Sequence, residues 1–439
     1  MFKTLVGAFK NKDIRKKIIY TLLILVVVRV GSLLPITGVD TNYFSSLLSG
    51  INTGDLSYLS AFTGGSFERM SLFALSITPY ITSSIIMQLL TIAIPKLEEM
   101  QKEGEDGRKK IASITRYVTI GLSLIESIAM AVGFGRSGLI KDSAQLSTLH
   151  YVVCIIVVIA ALTAGSAVLM WLGERITEKG VGNGISIVLL INIISGMPSD
   201  FATLYSTFVA PKTPAKGVLA AVIILAILIV MVVLVCFLQD GERRIPVQYS
   251  QKVSGRRTVG GQSTNIPLKV NTAGVMPIIF ASSLMQFPVI IAQLFGKSYE
   301  WTRYLSSSYW CRVEAPKYSI GLLVYIVLLI IFAYFYTSIT FNPIEVADNL
   351  KKAGGVIPGI TPGKSTSDYL NNILNYIVFV GAVGLLIIAL IPIMCTGFFN
   401  ASVSFGGTSI IIIVGVVLET LKQIESQMCN RYYKGFLSE

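Results

Sequence analysis

The spacings in this chain that could support chemistry are few. Gly359-Ile360-Thr361-Pro362-Gly363-Lys364-Ser365 has the outline of a phosphate-binding loop, but only three residues separate its glycines. Such a loop needs four, and Pro362 removes a backbone N–H donor from the cradle. His150 is the only histidine, so histidine-based triads and metal clusters lack members. Its place at the start of an apolar segment suits an interfacial residue. Cys154, Cys236, Cys311, Cys395 and Cys429 show no paired spacing, which implies neither a disulfide framework nor a zinc site. No zinc-protease motif or nucleophile elbow occurs. The expectation is a protein that is not an enzyme, with no cofactor and no metal.

The remaining candidates are charges and aliphatic groups in unusual settings. Arg29 and Glu126 lie within apolar segments and Glu419 near the end of one. Charge at membrane depth marks a functional site or a hydrogen-bonding anchor. Ile81 and Ile85 share a helix face, with Thr82, Ser83 and Ser84 around them. Taken singly, Ile185, Leu189, Ile279 and Ile412 are ordinary packing residues. Thr63-Gly64-Gly65-Ser66-Phe67-Glu68-Arg69-Met70-Ser71-Leu72-Phe73 is Gly-rich and apolar, yet carries an adjacent acid and base. It reads as an interfacial amphipathic turn or as a short helix folded back into a cavity on its two glycines.

The elements that position these groups follow from composition. The 439 residues are 53% hydrophobic and 14% charged, with a mean hydropathy of +0.70, whereas soluble domains carry about 25% charged residues. A membrane-crossing helix needs about 20 apolar residues. Ten segments qualify, at 18–34, 73–94, 111–133, 151–172, 185–202, 218–238, 275–295, 320–341, 373–392 and 408–421. The first runs past Leu34 without a small-residue cleavage site, unlike a secretory signal peptide. The fifth is interrupted by Gly196-Met197-Pro198. That predicts a broken helix, tolerated only beside protein or a water-filled cavity.

Basic residues orient the chain. Of the 36 Lys and Arg, twenty-six precede the first segment, occupy the even-numbered connections or lie in the C-terminal tail. Nine occupy the odd-numbered connections, and Arg29 lies within the first segment. The positive-inside rule then puts both termini in the cytoplasm, so the net charge of +12 reflects topology and not nucleic-acid binding. Ten crossings with both ends inside divide into two five-helix halves of opposite orientation, an arrangement that places a pathway where the halves meet. The divisions expected are an N-terminal segment 1–17, halves 18–202 and 218–421, cytoplasmic loops at about 239–271 and 342–370, and a tail 422–439. Loops of that length are commonly functional, and their basic tips suit RNA phosphate or an acidic protein surface.

Motifs run through almost the whole chain in order. They include Arg29-Val30-Gly31-Ser32, Thr78-Pro79-Tyr80-Ile81, Ile85-Ile86-Met87-Gln88-Leu89-Leu90, Lys102-Glu103-Gly104-Glu105-Asp106-Gly107-Arg108 and Trp171-Leu172-Gly173-Glu174-Arg175. Gly182-Asn183-Gly184-Ile185-Ser186, Gly255-Arg256-Arg257, Pro267-Leu268-Lys269-Val270-Asn271, Ile279-Phe280-Ala281-Ser282-Ser283, Phe341-Asn342-Pro343 and Phe405-Gly406-Gly407-Thr408-Ser409 continue the series. The series closely resembles the SecY family of protein-conducting channel subunits. The resemblance implies an all-α polytopic membrane protein of ten transmembrane helices, in two inverted five-helix halves that close like a clamshell.

By the same resemblance Ile81, Ile85, Ile185, Leu189, Ile279 and Ile412 match the pore ring. Gly64, Gly65, Ser66, Phe67, Glu68, Arg69, Met70, Ser71 and Leu72 match the plug, placed at about 63–73. Ile86, Met87, Ser282, Ser283 and Gln286 match the lateral gate. Arg256, Arg257, Lys351, Lys352 and Thr361 fall in loops that meet a motor or a ribosome. The implied partners are SecE, a SecG-type subunit, the SecA motor ATPase, the translating ribosome, secretory preproteins with signal sequences, and membrane lipid. The implied location is the bacterial cytoplasmic membrane. One departure stands out, because the family commonly carries arginine where this chain has Thr361. The implied function is a passive, gated conduit that moves unfolded secretory proteins across the membrane and releases membrane segments sideways into it. A secondary transporter is the rival from another class and should show a polar midplane site. An accessory channel for particular substrates also fits.

Overall fold

The computed structural model describes residues 7, 9–41, 63–135, 140, 148–210, 214–249, 252–254, 257–259, 263–294, 300–306, 309–311, 316–399 and 407–434. Helices α1 (Lys12–Leu33), α2 (Thr78–Ala93), α3 (Pro95–Lys102), α4 (Glu105–Gly135), α5 (Thr148–Lys179) and α6 (Gly184–Leu204) make up the first half. The second begins with α7 (Pro214–Asp240), then strands β1 (Glu242–Tyr249), β2 (Lys252–Ser254), β3 (Arg257–Val259) and β4 (Ser263–Lys269). It continues with α8 (Met276–Leu294), α9 (Glu300–Leu305), α10 (Ile320–Thr340), α11 (Pro343–Lys352), β5 (Gly355–Val356), α12 (Lys364–Phe399) and α13 (Gly407–Lys434).

Ten of these helices fall on the ten apolar segments: α1, α2, α4, α5, α6, α7, α8, α10, α12 and α13. Six are long and apolar enough to cross a membrane by length and composition alone, and a seventh if α2 and α3 form one span bent by 105°. In hydrocarbon every backbone polar group needs an internal partner, and a helix supplies one to each residue away from its ends. Helix ends are closed by side chains. Asn11, Asn183 and Asn342 cap α1, α6 and α11 by accepting backbone N–H bonds, as N-cap residues do. The lipid-facing surfaces stay apolar. On α7 only 11% of the apolar window is buried, and Leu22, Leu23, Val26 and Val27 of α1 are exposed.

The structure corrects the sequence reading at several points. The fifth helix is not broken at Gly196-Met197-Pro198, because α6 passes through Pro198 and ends in a π-helical turn at Tyr205–Val209. Proline costs a helix one N–H bond, and hydroxyls in the same stretch bond back to the helix. Ser199 Oγ donates to the Gly196 carbonyl at 2.7 Å and Thr203 Oγ1 to the Ser199 carbonyl at 2.9 Å. The second helix starts at Thr78, because the preceding Gly64–Ile77 stretch runs as successive turns and not as a short folded-back helix. Gly64, Gly65, Met70 and Ser76 there have φ of 61°, 79°, 42° and 53°, which interrupts any right-handed helix.

The sixth connection is a β unit. β1 pairs antiparallel with β4, from Glu242 opposite Lys269 to Gln248 opposite Ser263. Its other edge takes β5 from the eighth connection, with Gln248 opposite Val356. The alternation of Ile245 and Val247 with Arg244, Pro246 and Gln248 is the period-two signal for a half-buried strand, and those two residues are the buried ones. They share a core with Leu268, Leu350, Ile357, Leu370 and Ile377, which fixes the unit to α12.

Helix pairs are joined by packing and by buried hydroxyls. Ser83 Oγ on α2 donates to the Thr115 carbonyl on α4 at 2.8 Å, and the Ser127 and Thr163 hydroxyls bridge α4 to α5 at 2.8 Å. Contacts between the halves include α4 with α8 and α6 with α13. At the α5–α6 junction Gly184 lies so close to α5 that a Cβ would sit 1.9 Å from the Gly173 carbonyl oxygen. Gly184→Ala should therefore destabilise the protein by about 1–3 kcal/mol, the usual cost of overpacking. Thermal aggregation in detergent checks this. Gly121→Ala is the control, since nothing lies within 4 Å of that position, and should be neutral or slightly stabilising.

Candidate functional site

The sequence-selected aliphatic residues come together. Ile81 and Ile85 of α2, Ile185 and Leu189 of α6, Ile279 of α8 and Ile412 of α13 belong to one hydrophobic cluster that spans both halves. Leu189, Ile279 and Ile412 are buried, at 4%, 8% and 1% exposure. In both α2 and α6 the selected pair is four residues apart, one helical turn, so each helix turns one aliphatic edge toward the same place.

These side chains end a cavity of about 660 Å³, of which Ile81, Ile185, Leu189, Ile279 and Ile412 form part of the wall. The rest of the wall is mixed, with Val275, Met276, Val416 and Leu418 beside polar and charged groups. Tyr80, Gln88, Arg116, Glu174, Lys269, Asn271, Glu419 and Lys422 are among its residues. The termini share one side of the molecule, since Lys17 Nζ donates to Gln427 Oε1 at 3.2 Å and Ile14 packs with Val181 and Ile424. Arg116 Nε donates to Glu174 Oε1 at 2.8 Å and Lys422 Nζ to Asp240 Oδ1 at 2.6 Å. Both pairs are half-exposed, worth about 0–1 kcal/mol, so they orient the mouth more than they stabilise it. Gln88 Oε1 and Gln239 Nε2 are buried with no hydrogen-bond partner among the described residues. Tyr80, Glu174 and Asn271 sit in the motif series, yet nothing in their spacing assigns them to a cavity.

Beyond the constriction lies the turn segment. Phe67, Met70, Ser66 and Ser71 are buried, Glu68 and Arg69 exposed, and Gly64, Gly65 and Leu72 half-buried. Leu72, Phe73 and Ile77 join the same cluster as the constriction, while Phe67, Met70, Ala74 and Leu75 pack in a second one with Met130 and Ala131 of α4 and Val158 and Leu162 of α5. Backbone bonds stitch the segment to the stretch after α1, with Leu72 N–H donating to Leu34 at 2.9 Å and Ile36 N–H to Met70 at 3.1 Å.

Ile86 is half-buried and Met87 buried on α2, while Ser282 is buried and Ser283 half-buried on α8. Ser282 Oγ donates to the Ile279 carbonyl at 3.0 Å. Gln286 falls within α8, but its side chain lies outside the description, and Arg256 lies outside the described residues. Arg257 opens β3. Lys351 and Lys352 are exposed in the last turn of α11. Thr361 is exposed at the loop tip, and its hydroxyl hydrogen-bonds the Ser365 hydroxyl at 2.9 Å. Of the membrane-depth charges, Arg29 leaves a buried Nη1 without a hydrogen-bond partner, Glu126 is half-buried and Glu419 lines the cavity. Among the described residues no group of three or more His, Cys, Asp or Glu could hold a metal.

Comparison with known proteins agrees with this architecture. A family model described as SecY matches residues 71–421. The protein translocase subunit SecY of Streptomyces galbus is 43% identical over the full length of both chains, and that of Bacillus subtilis 41%. Among solved structures, one described as a protein conducting channel matches with a TM-score of 0.63 at 17% identity, covering 94% of this chain and 92% of the other. Canine Sec61 in a ribosome-channel complex matches at 0.60 and 16%, again covering 94% and 92%. The ten-helix arrangement is thus that of the SecY and Sec61 channels. An aliphatic constriction between two helical halves, together with full-length similarity to translocase subunits, leads to one conclusion: this multi-pass membrane protein belongs to the SecY family of protein translocase subunits.

Proposed function

We propose that the chain works as a passive, gated conduit for unfolded polypeptides, with the aliphatic constriction as its seal. The observation that carries this reading is the shared cluster of Ile81, Ile85, Ile185, Leu189, Ile279 and Ile412, five of which line a cavity of mixed polar and apolar wall. Flexible aliphatic side chains close around chains of varied sequence without binding any of them strongly, and an empty aliphatic neck expels water. The residues at 63–73 are the plug, which a signal sequence displaces as it inserts between α2 and α8. Ile86, Met87, Ser282, Ser283 and Gln286 are the side exit to lipid. The family is one of channel subunits and not of enzymes, so the driving energy comes from outside.

The partner assignments rest on loop chemistry. The β1–β4–β5 unit and α11 carry Arg243, Arg244, Lys351 and Lys352, all exposed. A basic surface of this kind suits a translating ribosome, whose RNA is rich in phosphate, or the SecA motor. SecE braces the clamshell and a SecG-type subunit sits beside it. Both termini and the basic connections face the cytoplasm, in a bacterial cytoplasmic membrane. Thr361, tied to Ser365, offers a motor a neutral, short side chain at the loop tip.

Two experiments test the reading. In a cysteine-free background, Ile185→Cys should react with a membrane-impermeant thiol reagent added from the terminus side, whereas Phe280→Cys, at a position 1% exposed, should not. Replacing Ile81 and Ile85 with Gly should raise ion leak through reconstituted vesicles several-fold. Parent-level conductance in that double variant would count decisively against the seal.

A further inference from the structure

The turn segment behind the constriction is also held by polar contacts that the seal does not explain. Asn192 and Ser195 lie on α6 three and six residues beyond Leu189, about 4.5 and 9 Å farther from the mouth. Asn192 is 2% exposed, in a stretch of α6 where Val188, Leu189 and Ile193 are also buried. Its Nδ2 donates to Ser76 Oγ at 3.0 Å. Ser195 Oγ donates to the Asn192 carbonyl at 2.8 Å and approaches the Gly64 carbonyl at 3.4 Å. At Gly64 a Cβ would sit 2.5 Å from Ser195 Oγ and 2.6 Å from the Asn192 carbonyl oxygen, and φ is +61°. Glycine is therefore required there twice over, by close approach and by left-handed backbone.

These contacts have a definite arrangement. α6 holds the segment near its start, at Gly64, and near its end, at Ser76, while the middle is stitched to residues 34–36 after α1. The α1 side is bound backbone to backbone, which side-chain chemistry cannot tune. On the α6 side Asn192 and Ser195 reach Ser76 and Gly64 through their own side chains, and those contacts depend on residue type.

We infer that Asn192 and Ser195 are gate-setting residues, a polar latch that holds the 64–77 segment against the aliphatic constriction in the closed state. The latch deepens the conduit reading and rests on it. Closed, it makes the Asn192–Ser76 bond in an apolar setting but leaves Asn192 Oδ1 buried without a partner. When the segment moves out, water reaches the amide and both hydroxyls, so every bond lost is replaced. The net strength is the small difference between protein and water hydrogen bonds. A weak, self-compensating latch suits a gate that must open for a passing chain and close again.

The test uses the full chain reconstituted in planar bilayers, with resting ion conductance as the readout. Asn192→Ala, Asn192→Leu and Ser76→Ala should each raise resting conductance about two- to tenfold, the equilibrium shift expected for one net hydrogen bond. The Asn192→Ala/Ser76→Ala double variant should leak no more than the leakier single variant, because the two groups share one bond. Additive increases would mean general loosening of the helix and would overturn the latch. So would parent-level conductance in all three single variants while the Ile81→Gly/Ile85→Gly channel leaks. If that ring variant also stays closed, the conduit reading fails, and the latch with it.

Discussion

Six aliphatic side chains meet where α2, α6, α8 and α13 converge, and in the conduit we propose this meeting is the part that closes and opens. Elsewhere in the bilayer, lipid tails are as apolar as the helix faces, so burial in lipid gives no hydrophobic drive toward helix association. The constriction differs because it borders a cavity whose wall also carries charged groups, among them Arg116, Glu174, Lys269, Glu419 and Lys422. There, parting Ile279 and Ile412 from Ile81 and Leu189 would bring apolar surface to water, and the hydrophobic effect opposes it. In the proposed conduit, the two halves are thus drawn together most strongly at the place where they would part. The contact of α4 with α8 involves none of the six ring residues on the α4 side and lies in ordinary helix packing.

The same logic explains the polar groups near the seal. Asn192, Ser76 and Ser195 are poor choices for a permanent core, since a buried polar group costs free energy unless it is bonded. In the latch we propose, they are reasonable choices, because that surface would be dry when closed and wet when open. Ser83, Ser127 and Thr163, by contrast, bond within or between neighbouring helices of the first half. These hold helices that have no reason to part.

On the terminus side the sixth and eighth connections behave as one body. β1 carries β4 on one edge and β5 on the other, and their shared core reaches Leu370 and Ile377 of α12. A partner that grips either connection therefore grips both, and pulls on α12 and, through Lys269 and Asn271, on the start of α8. That gives physical content to docking on these loops. The exposed cations supply attraction, while the strand pairing supplies stiffness. At the loop tip Thr361 spends its hydroxyl on Ser365 and its carbonyl on Thr366, so the tip is closed by local bonds and carries no charge of its own.

The sequence by itself determined the ten crossings and the common side of the even-numbered connections, because hydrocarbon thickness and charge bias are one-dimensional constraints that act on composition along the chain. It also singled out Ile81, Ile85, Ile185, Leu189, Ile279 and Ile412, though only through likeness to a family, since each alone is an ordinary core residue. Three features were decided by tertiary structure. α6 runs unbroken through Pro198 and passes into a π-helical turn at Tyr205–Val209. Gly64–Ile77 forms turns because its partners, residues 34–36, Asn192 and Ser195, are distant in sequence. β1 pairs with β5 across about a hundred residues. The cavity wall belongs with these features: Arg116, Glu174, Lys269 and Lys422 come from four separate elements. No local periodicity carries that information, because a cavity is defined by which side chains fail to fill a space, and that depends on every helix around it.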